Sequence, residues 1–296
     1  MALPHFSLDD LRDELRRIFL IQAGLIMLAR GMETAEAYVG FLPEHDDPIE
    51  AEPYDLDTLD HVDLLLFPIV REFETLYRQV FEPREAPALW GGDTLLANNF
   101  VQALPEVSAS GIVCEFPLVR RVAETAYARS KLDEFVALKP APNLSVREIA
   151  LLADMTEGAV RNAISSQGPD RLRTERQGKG ISIKPLEALR WLAGRRGFVT
   201  RPCRPMGDGW FWKNFEADLS RRYLAYCLEI LIYNNLGQPA AAAAKLGWLI
   251  EEVENWIAGR FPNDAAHIAA MADALGLDAD RLRTVVERVV SMEAAR

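Results

Sequence analysis

Residues 144–166, "LSVREIALLADMTEGAVRNAISS", decide how this chain is read. Ser145-Val146-Arg147-Glu148 has the spacing of a reciprocal cap. The Ser145 hydroxyl accepts from the Glu148 N–H, and the Glu148 carboxylate reaches back to the Ser145 N–H. That predicts a helix from residue 146 onward. Ile149, Leu152 and Ala153 form its inward face, and Ala150 is small enough to let a second helix cross closely. Asp154-Met155 makes the turn. Thr156 caps the next helix, with Val160 and Ile164 pointing inward. Two short helices joined by a three-residue turn suit a nucleic-acid reader, or a pair of core helices in an acidic protein with a formal net charge of −11.

The charge is unevenly spread. Residues 1–143 hold 12 Lys+Arg and 25 Asp+Glu, a net of −13. Residues 144–213 hold 13 and 7, a net of +6, and residues 214–296 hold 8 and 12, a net of −4. The basic block contains the opening segment. A polyanion responds to the local field, so the whole-chain charge is a weak objection.

After the two helices comes "DRLRTERQGKGISIKPLEALRWLAGRRG" (170–197). It reads as two short strands around a turn at Gly178-Lys179-Gly180, then a helix with Pro185 at its first position. Arg171, Arg173, Arg176 and Lys179 lie on this hairpin and its approach. A basic hairpin beside an exposed helix suits phosphate contacts, which position a protein on a duplex without reading sequence.

The pattern Glu148-Ile149-Ala150, the turn at 154–156, and Val160 and Ile164 after it resemble the helix-turn-helix of bacterial transcription regulators. The order helix, turn, helix, hairpin, helix resembles the winged domains of excisionase-like and MerR-like members. The turn position often held by Gly is Asp154, which tolerates a left-handed backbone better than most residues. The resemblance covers about 60 residues, a span typical of a small motif-built unit. It implies that residues 156–166 form a recognition helix in the major groove, with Thr156 at its cap. Its outward residues would be Glu157, Arg161, Asn162 and Ser165. Arg pairs bidentately with guanine and Asn with adenine. Glu157 would accept from cytosine or simply favour the helix N-terminus. Arg171, Arg173, Arg176 and Lys179 would neutralise phosphates.

Elsewhere the pattern is helical. Ser7 caps a helix over 7–30, with Asp9 and Asp10 complementing its dipole. A second helix follows at 32–41. Residues 44–63 carry nine acids and no Lys or Arg, and their first part reads as a solvated loop rather than a metal site at His45, Asp46 and Asp47. From Leu56 apolar residues recur at helical spacing through Val80, with Pro68 expected to kink or break the helix. Shorter helices follow near 94–104 and 117–138, and "LKPAPN" (138–143) reads as a linker. The segment 198–215 offers Arg201, Arg204, Trp210 and Trp212 for stacking on nucleic acid. The reading we prefer is a linker whose aromatics pin it to a core.

A helix is expected over 214–236. Residues 239–260 read as two helices joined at Gly247, and together with 267–282 they are similar to the five-helix domain of Cro and lambda-repressor-type regulators. The helix after Gly247 carries Glu251, Glu252 and Glu254, which oppose phosphate, so packing or dimerisation is expected there.

No phosphate-cradling Gly loop, H-E-x-x-H, G-x-S-x-G or clustered His/Cys set is present. Cys114, Cys203 and Cys227 form no C-x-x-C pair, which fits a reducing cytosol. Acids stand where a secretory leader would be basic. The apolar run 18–29 is only about two-thirds of a membrane span, so a core helix is expected.

The reading is therefore a mainly α, multi-domain protein with a central winged helix-turn-helix carrying a small β-hairpin. The expected domains are 1–140 (acidic, helical), 141–213 (DNA-binding, with its linker) and 214–296 (packing or dimerisation). The expected function is a cytoplasmic, non-enzymatic transcription regulator without cofactor or metal. It would bind double-stranded DNA as a homodimer and have no membrane partner. The alternative is an interaction adaptor or antitoxin- or phage-type control protein. There the helix-turn-helix is scaffold, and the acidic N-terminal domain binds a protein.

Overall fold

The computed structural model describes residues 6–41, 56–82, 89, 91–168, 170–177, 180–200, 209–215, 220–262 and 264–294. Outside them lie the acidic loop with His45, Asp46 and Asp47, the hairpin tip Gly178-Lys179, and Arg201 and Arg204. Among the described residues the protein is mainly helical, with fourteen α-helices and one two-stranded sheet. No helix among them is long and apolar enough to cross a membrane. The chain divides into two units. One comprises Leu3–Val80 with Gly91–Tyr127, the other Phe81–Trp90 with Ala128–Arg296.

The first unit starts with α1 (Leu8–Arg30), and its cap is reciprocal. Ser7 Oγ accepts from the Asp10 N–H at 3.1 Å, while Asp10 accepts from the Ser7 N–H at 2.6 Å. The Ser7 N–H first, and then the Ser7 hydroxyl at 2.8 Å, donate to the Asp10 carboxylate and hold its pKa below the usual value. Leu11, Leu15, Ile18, Phe19 and Ala23 fill the inward face. Burial therefore covers only the first part of the apolar run 18–29, and Leu28 is 66% exposed. Gly31, at φ 86°, ends the helix and leads into α2 (Met32–Val39). The expected long helix from Leu56 is instead two short 3₁₀ turns, Leu56–His61 and Leu64–Leu66, followed by α3 (Pro68–Phe81). Pro68 opens α3 rather than kinking it, because a first-turn position needs no N–H. Then come α4 (Leu95–Gln102) and α5 (Pro117–Val136), which belongs to this unit up to Tyr127 and to the second unit from Ala128.

Glu14 is the buried polar anchor of this unit. Its carboxylate accepts from the backbone N–H groups of Leu118 (3.1 Å) and Val119 (2.6 Å) in the first turn of α5. A carboxylate at a helix N-terminus meets both orphan donors and the positive end of the dipole. Burial still pushes the Glu14 pKa up.

In the second unit, α6 (Val146–Leu152), α7 (Glu157–Ser165), β1 (Glu175–Gln177), β2 (Gly180–Ser182) and α8 (Pro185–Leu192) follow α5 in the expected order. The two strands are antiparallel, with Arg176 opposite Ile181. Five more helices follow: α9 (Gly209–Phe215), α10 (Arg221–Leu231), α11 (Pro239–Leu246), α12 (Ile250–Ile257) and α13 (Ala265–Leu275), before α14 (Ala279–Ala294) closes the chain. The helix expected over 214–236 begins only at Arg221, because Ser220 caps it by accepting from the Tyr223 N–H. It ends in a π-helical turn over Ile232–Leu236. Residues of the 141–213 and 214–296 segments share one continuous apolar core, from Ala128 through Val160, Leu189, Phe215, Leu228 and Trp256 to Val289. Arg190 on α8 also pairs with the buried Glu229 on α10 at 2.7 Å. Trp212 belongs to this core, 1% exposed, with the Arg281 guanidinium 4.9 Å from its ring centroid. It is therefore not presented for stacking on nucleic acid.

His267 on α13 lies between two carboxylates. Asp264 Oδ2 is 2.6 Å from its Nδ1, and Glu252 Oε1 is 3.4 Å from its Nε2. Asp264 first, then Glu252, favours the imidazolium and raises the His267 pKa. The same contact, with the Ala266 N–H, lowers the Asp264 pKa. The raised histidine contributes stability that is fully present below its unfolded value of 6.5 and lost as pH rises through the folded one. The lowered aspartate contributes stability present above 3.8 and lost as pH falls through its folded value. We expect melting temperatures between about pH 6 and 9 to fall less steeply in His267→Gln than in the parent. Parallel curves would show that the His267 charge contributes nothing to this pH dependence, and an NMR titration of His267 reads the same shift directly.

Candidate nucleic-acid interface

The α6–α7 pair forms as its local chemistry dictates. Ser145 Oγ accepts from the Glu148 N–H (3.2 Å), and Glu148 Oε2 accepts from the Ser145 N–H (2.7 Å). The other oxygen of Glu148 takes Lys131 of α5 at 2.5 Å, so one carboxylate both caps α6 and ties it to its neighbour. Asp154 adopts φ 51°, the left-handed conformation its place in the turn requires. The Met155 N–H donates to the Ala150 carbonyl at 2.9 Å and closes the turn. Thr156 Oγ1 accepts from the Ala159 N–H at 3.1 Å and starts α7. Ile149, Leu152, Ala153 and Val160 are buried, and Ile164 is half-buried.

Gly197 presses on this turn from outside. A Cβ there would fall inside contact distance of the Ala153 carbonyl oxygen and 2.8 Å from the Asp154 Cβ. The next two residues are fixed from α5. The Arg129 guanidinium lies 5.4 Å from the Phe198 ring centroid and donates to the Val199 carbonyl at 2.6 Å. Arg129 also pairs with Asp133 at 2.9 Å, with both side chains about 5% exposed. The second Asp133 oxygen accepts from the Leu89 N–H at 2.9 Å.

The outward face of α7 holds Glu157, Arg161, Asn162 and Ser165. Glu157 takes Arg161 at 2.8 Å and Arg147 of α6 at 3.6 Å. Arg161 remains 61% exposed, and its guanidinium keeps further N–H donors beyond the one Glu157 uses. Asn162 is exposed, and its carboxamide has no partner among the described residues. Ser165 is exposed too, but its hydroxyl donates to the Arg161 carbonyl at 3.0 Å. Thr156 is a cap first, with its oxygen already engaged.

The hairpin is held to α7 through the Leu172 N–H, which donates to the Ala163 carbonyl at 3.2 Å. Leu144, just before α6, exchanges two backbone hydrogen bonds of 2.8 Å with Ile183, just after β2. That third extended segment extends the sheet to the start of α6. Arg171, Arg173 and Arg176 are exposed, and no carboxylate among the described residues pairs with their guanidinium groups. Lys179 lies outside the described residues. Two cations escape a reading of the sequence. Arg147 joins Glu157 across the turn, and Lys184 pairs with Glu175 at 2.6 Å. Arg147 stands in the opening segment, but it meets Glu157 only through the crossing of α6 and α7, which no local pattern announces. Nor does any local pattern mark Lys184.

No family model matches the chain, and neither does any curated protein or solved structure.

Two stability outcomes follow. Arg129→Met leaves Asp133 buried without its counter-charge and should cost about 3–5 kcal/mol in urea unfolding, while Arg129→Met with Asp133→Leu recovers part of that. Gly197→Ala should cost about 1–3 kcal/mol, because backbone in the turn must move. Gly168→Ala, with open space around it, should be near neutral and serves as the control.

Proposed function

We propose that residues 144–192 form a winged helix-turn-helix that binds duplex DNA, with α7 in the major groove and the hairpin on phosphates. The observation that carries this reading is the pairing of two surfaces joined by backbone hydrogen bonds. One is an exposed helix face bearing Arg161 and Asn162. The other is a hairpin run bearing three exposed arginines that no described carboxylate pairs. Unpaired guanidinium groups are free to displace counterions from phosphate. Asn162 and Arg161 present the donor and acceptor sets that match adenine and guanine edges. Glu157 acts on Arg161 as a buttress, limiting its rotamers so that less entropy is lost when it meets a base. A helix of nine residues is only about 13 Å long and spans few base pairs. Useful affinity then calls for two copies on paired half-sites, so a homodimer is part of the proposal. The regulated outcome is transcription, and the assignment needs neither a cofactor nor catalysis.

The test uses duplexes selected from a random pool with the full chain. Arg161→Ala with Asn162→Ala should lose sequence preference while keeping most non-specific binding. Replacing Arg171, Arg173 and Arg176 by Ala should weaken all duplexes alike. It should also reduce the slope of log K against log salt by about 0.9 for each phosphate no longer neutralised. Absence of salt-dependent retention on any duplex would sink the reading. The helix pair would then stand as scaffold for an interaction adaptor.

A further inference from the structure

The first unit contains a groove of about 580 Å³ between α1 and the segment that leads into α3. That is within the range of small-molecule sites. Its apolar lining is Leu64, Leu65, Phe67, Pro68 and Val70. Leu65, 84% exposed, stands at its rim. The charged lining is three arginines, Arg12, Arg16 and Arg71, with two carboxylates, Asp9 and Glu74, an excess of one cation in a unit that is otherwise rich in acids.

The three guanidinium groups are not equally satisfied. Arg12 is taken by Glu74 at 2.7 Å and Asp9 at 2.9 Å. Arg16 meets Asp13 through Nη1 at 2.7 Å, but its Nε is buried with no acceptor among the described residues. Arg71 is exposed and has no ion pair among them. A buried charged N–H without an acceptor is costly, so a group that supplies an acceptor there gains more than it would at the surface. A guanidinium fork matches the two oxygens of a carboxylate or phosphate.

We propose that this groove binds a small organic anion, an aromatic or aliphatic body carrying one carboxylate or phosphate. The body lies against the apolar lining, where Leu65 is 84% exposed, and the oxygens meet Arg16 and Arg71. The site is independent of the DNA reading, because it uses only residues of α1 and the α3 region and is assayed without DNA.

The probes are phenyl phosphate and phenylacetate, titrated calorimetrically into the full chain, with inorganic phosphate and benzyl alcohol as the two half-molecules. Saturable one-site binding is expected for at least one of the first pair, with each half-molecule at least about tenfold weaker. Which of the two binds tighter identifies the head group. Arg71→Gln, an exposed change, should weaken binding by about tenfold without altering the fold. The Arg16 Nε–Hε resonance, assigned by its loss in Arg16→Lys, should shift on saturation. The proposal is overturned if neither anion binds at about 10 mM, or if benzyl alcohol binds as well as either anion. It is equally overturned if Arg71→Gln binds like the parent and the Arg16 resonance stays put, which would mean that water alone satisfies Arg16. Should Arg16→Lys fail to fold, Arg71→Gln and the half-molecule comparison decide the question.

Discussion

The second unit depends on a buried ion pair. Arg129 and Asp133 sit four residues apart on α5, almost fully enclosed, and each also bonds to backbone: Arg129 donates to the Val199 carbonyl, and Asp133 accepts from the Leu89 N–H. A buried pair of this kind adds little net stability over a well-packed apolar pair, but it is directional. It fixes where Phe198 and Val199 run. Their neighbour Gly197 is thereby pressed against the Ala153 carbonyl, in the turn between α6 and α7. Lys131, on the same stretch of α5, holds the capping carboxylate of α6. The helix pair is thus positioned from behind by one helix, through one cation at each end of α6. Its outward face is left uncommitted to the core.

That freedom matters for the proposed chemistry. A reading helix must be rigid in backbone and available in side chain. The α7 backbone is fixed by Thr156 at its start, by Val160 in the core and by the Leu172–Ala163 hydrogen bond near its end. The availability is graded. Asn162 is uncommitted among the described residues, Arg161 is partly neutralised by Glu157, and Ser165 is spent on its own helix. Within the proposal, Asn162 and Arg161 therefore carry base discrimination, and Ser165 contributes shape.

Much of this geometry was legible in the sequence, because it is set by short-range chemistry. The Ser145–Glu148 and Ser7–Asp10 caps, the Thr156 cap, the left-handed Asp154 and the Pro185 helix start each involve residues within four positions of one another. What escaped was long-range. Nothing local announces that Glu14 will cap α5 across about a hundred residues, or that Leu144 will pair with Ile183. Helical spacing after Leu56 over-reached for the same reason. Apolar periodicity reports a face to be buried, but Pro68 and tertiary packing decided that only Pro68–Phe81 became α-helix. At the candidate site, residue types and exposure were readable, whereas the Arg147–Glu157–Arg161 arrangement needed the crossing of two helices.

The second unit also holds its own comparison. α11 and α12 repeat the plan of α6 and α7, with Gly247 at φ 70° where the first pair has Asp154 at φ 51°. Both second helices bury a valine completely, Val160 in α7 and Val253 in α12. The outward faces differ. α12 and its cap expose Leu249, at 70%, with Ile250, Glu251 and Glu254. Carboxylates there would repel phosphate, and exposed leucine and isoleucine gain by meeting another apolar surface rather than water. The backbone plan is therefore shared by an outward face with Arg161 and Asn162 and an outward face with Glu251, Glu254 and exposed apolar side chains. A helix-turn-helix shape alone specifies no partner; the side chains that α7 turns outward do.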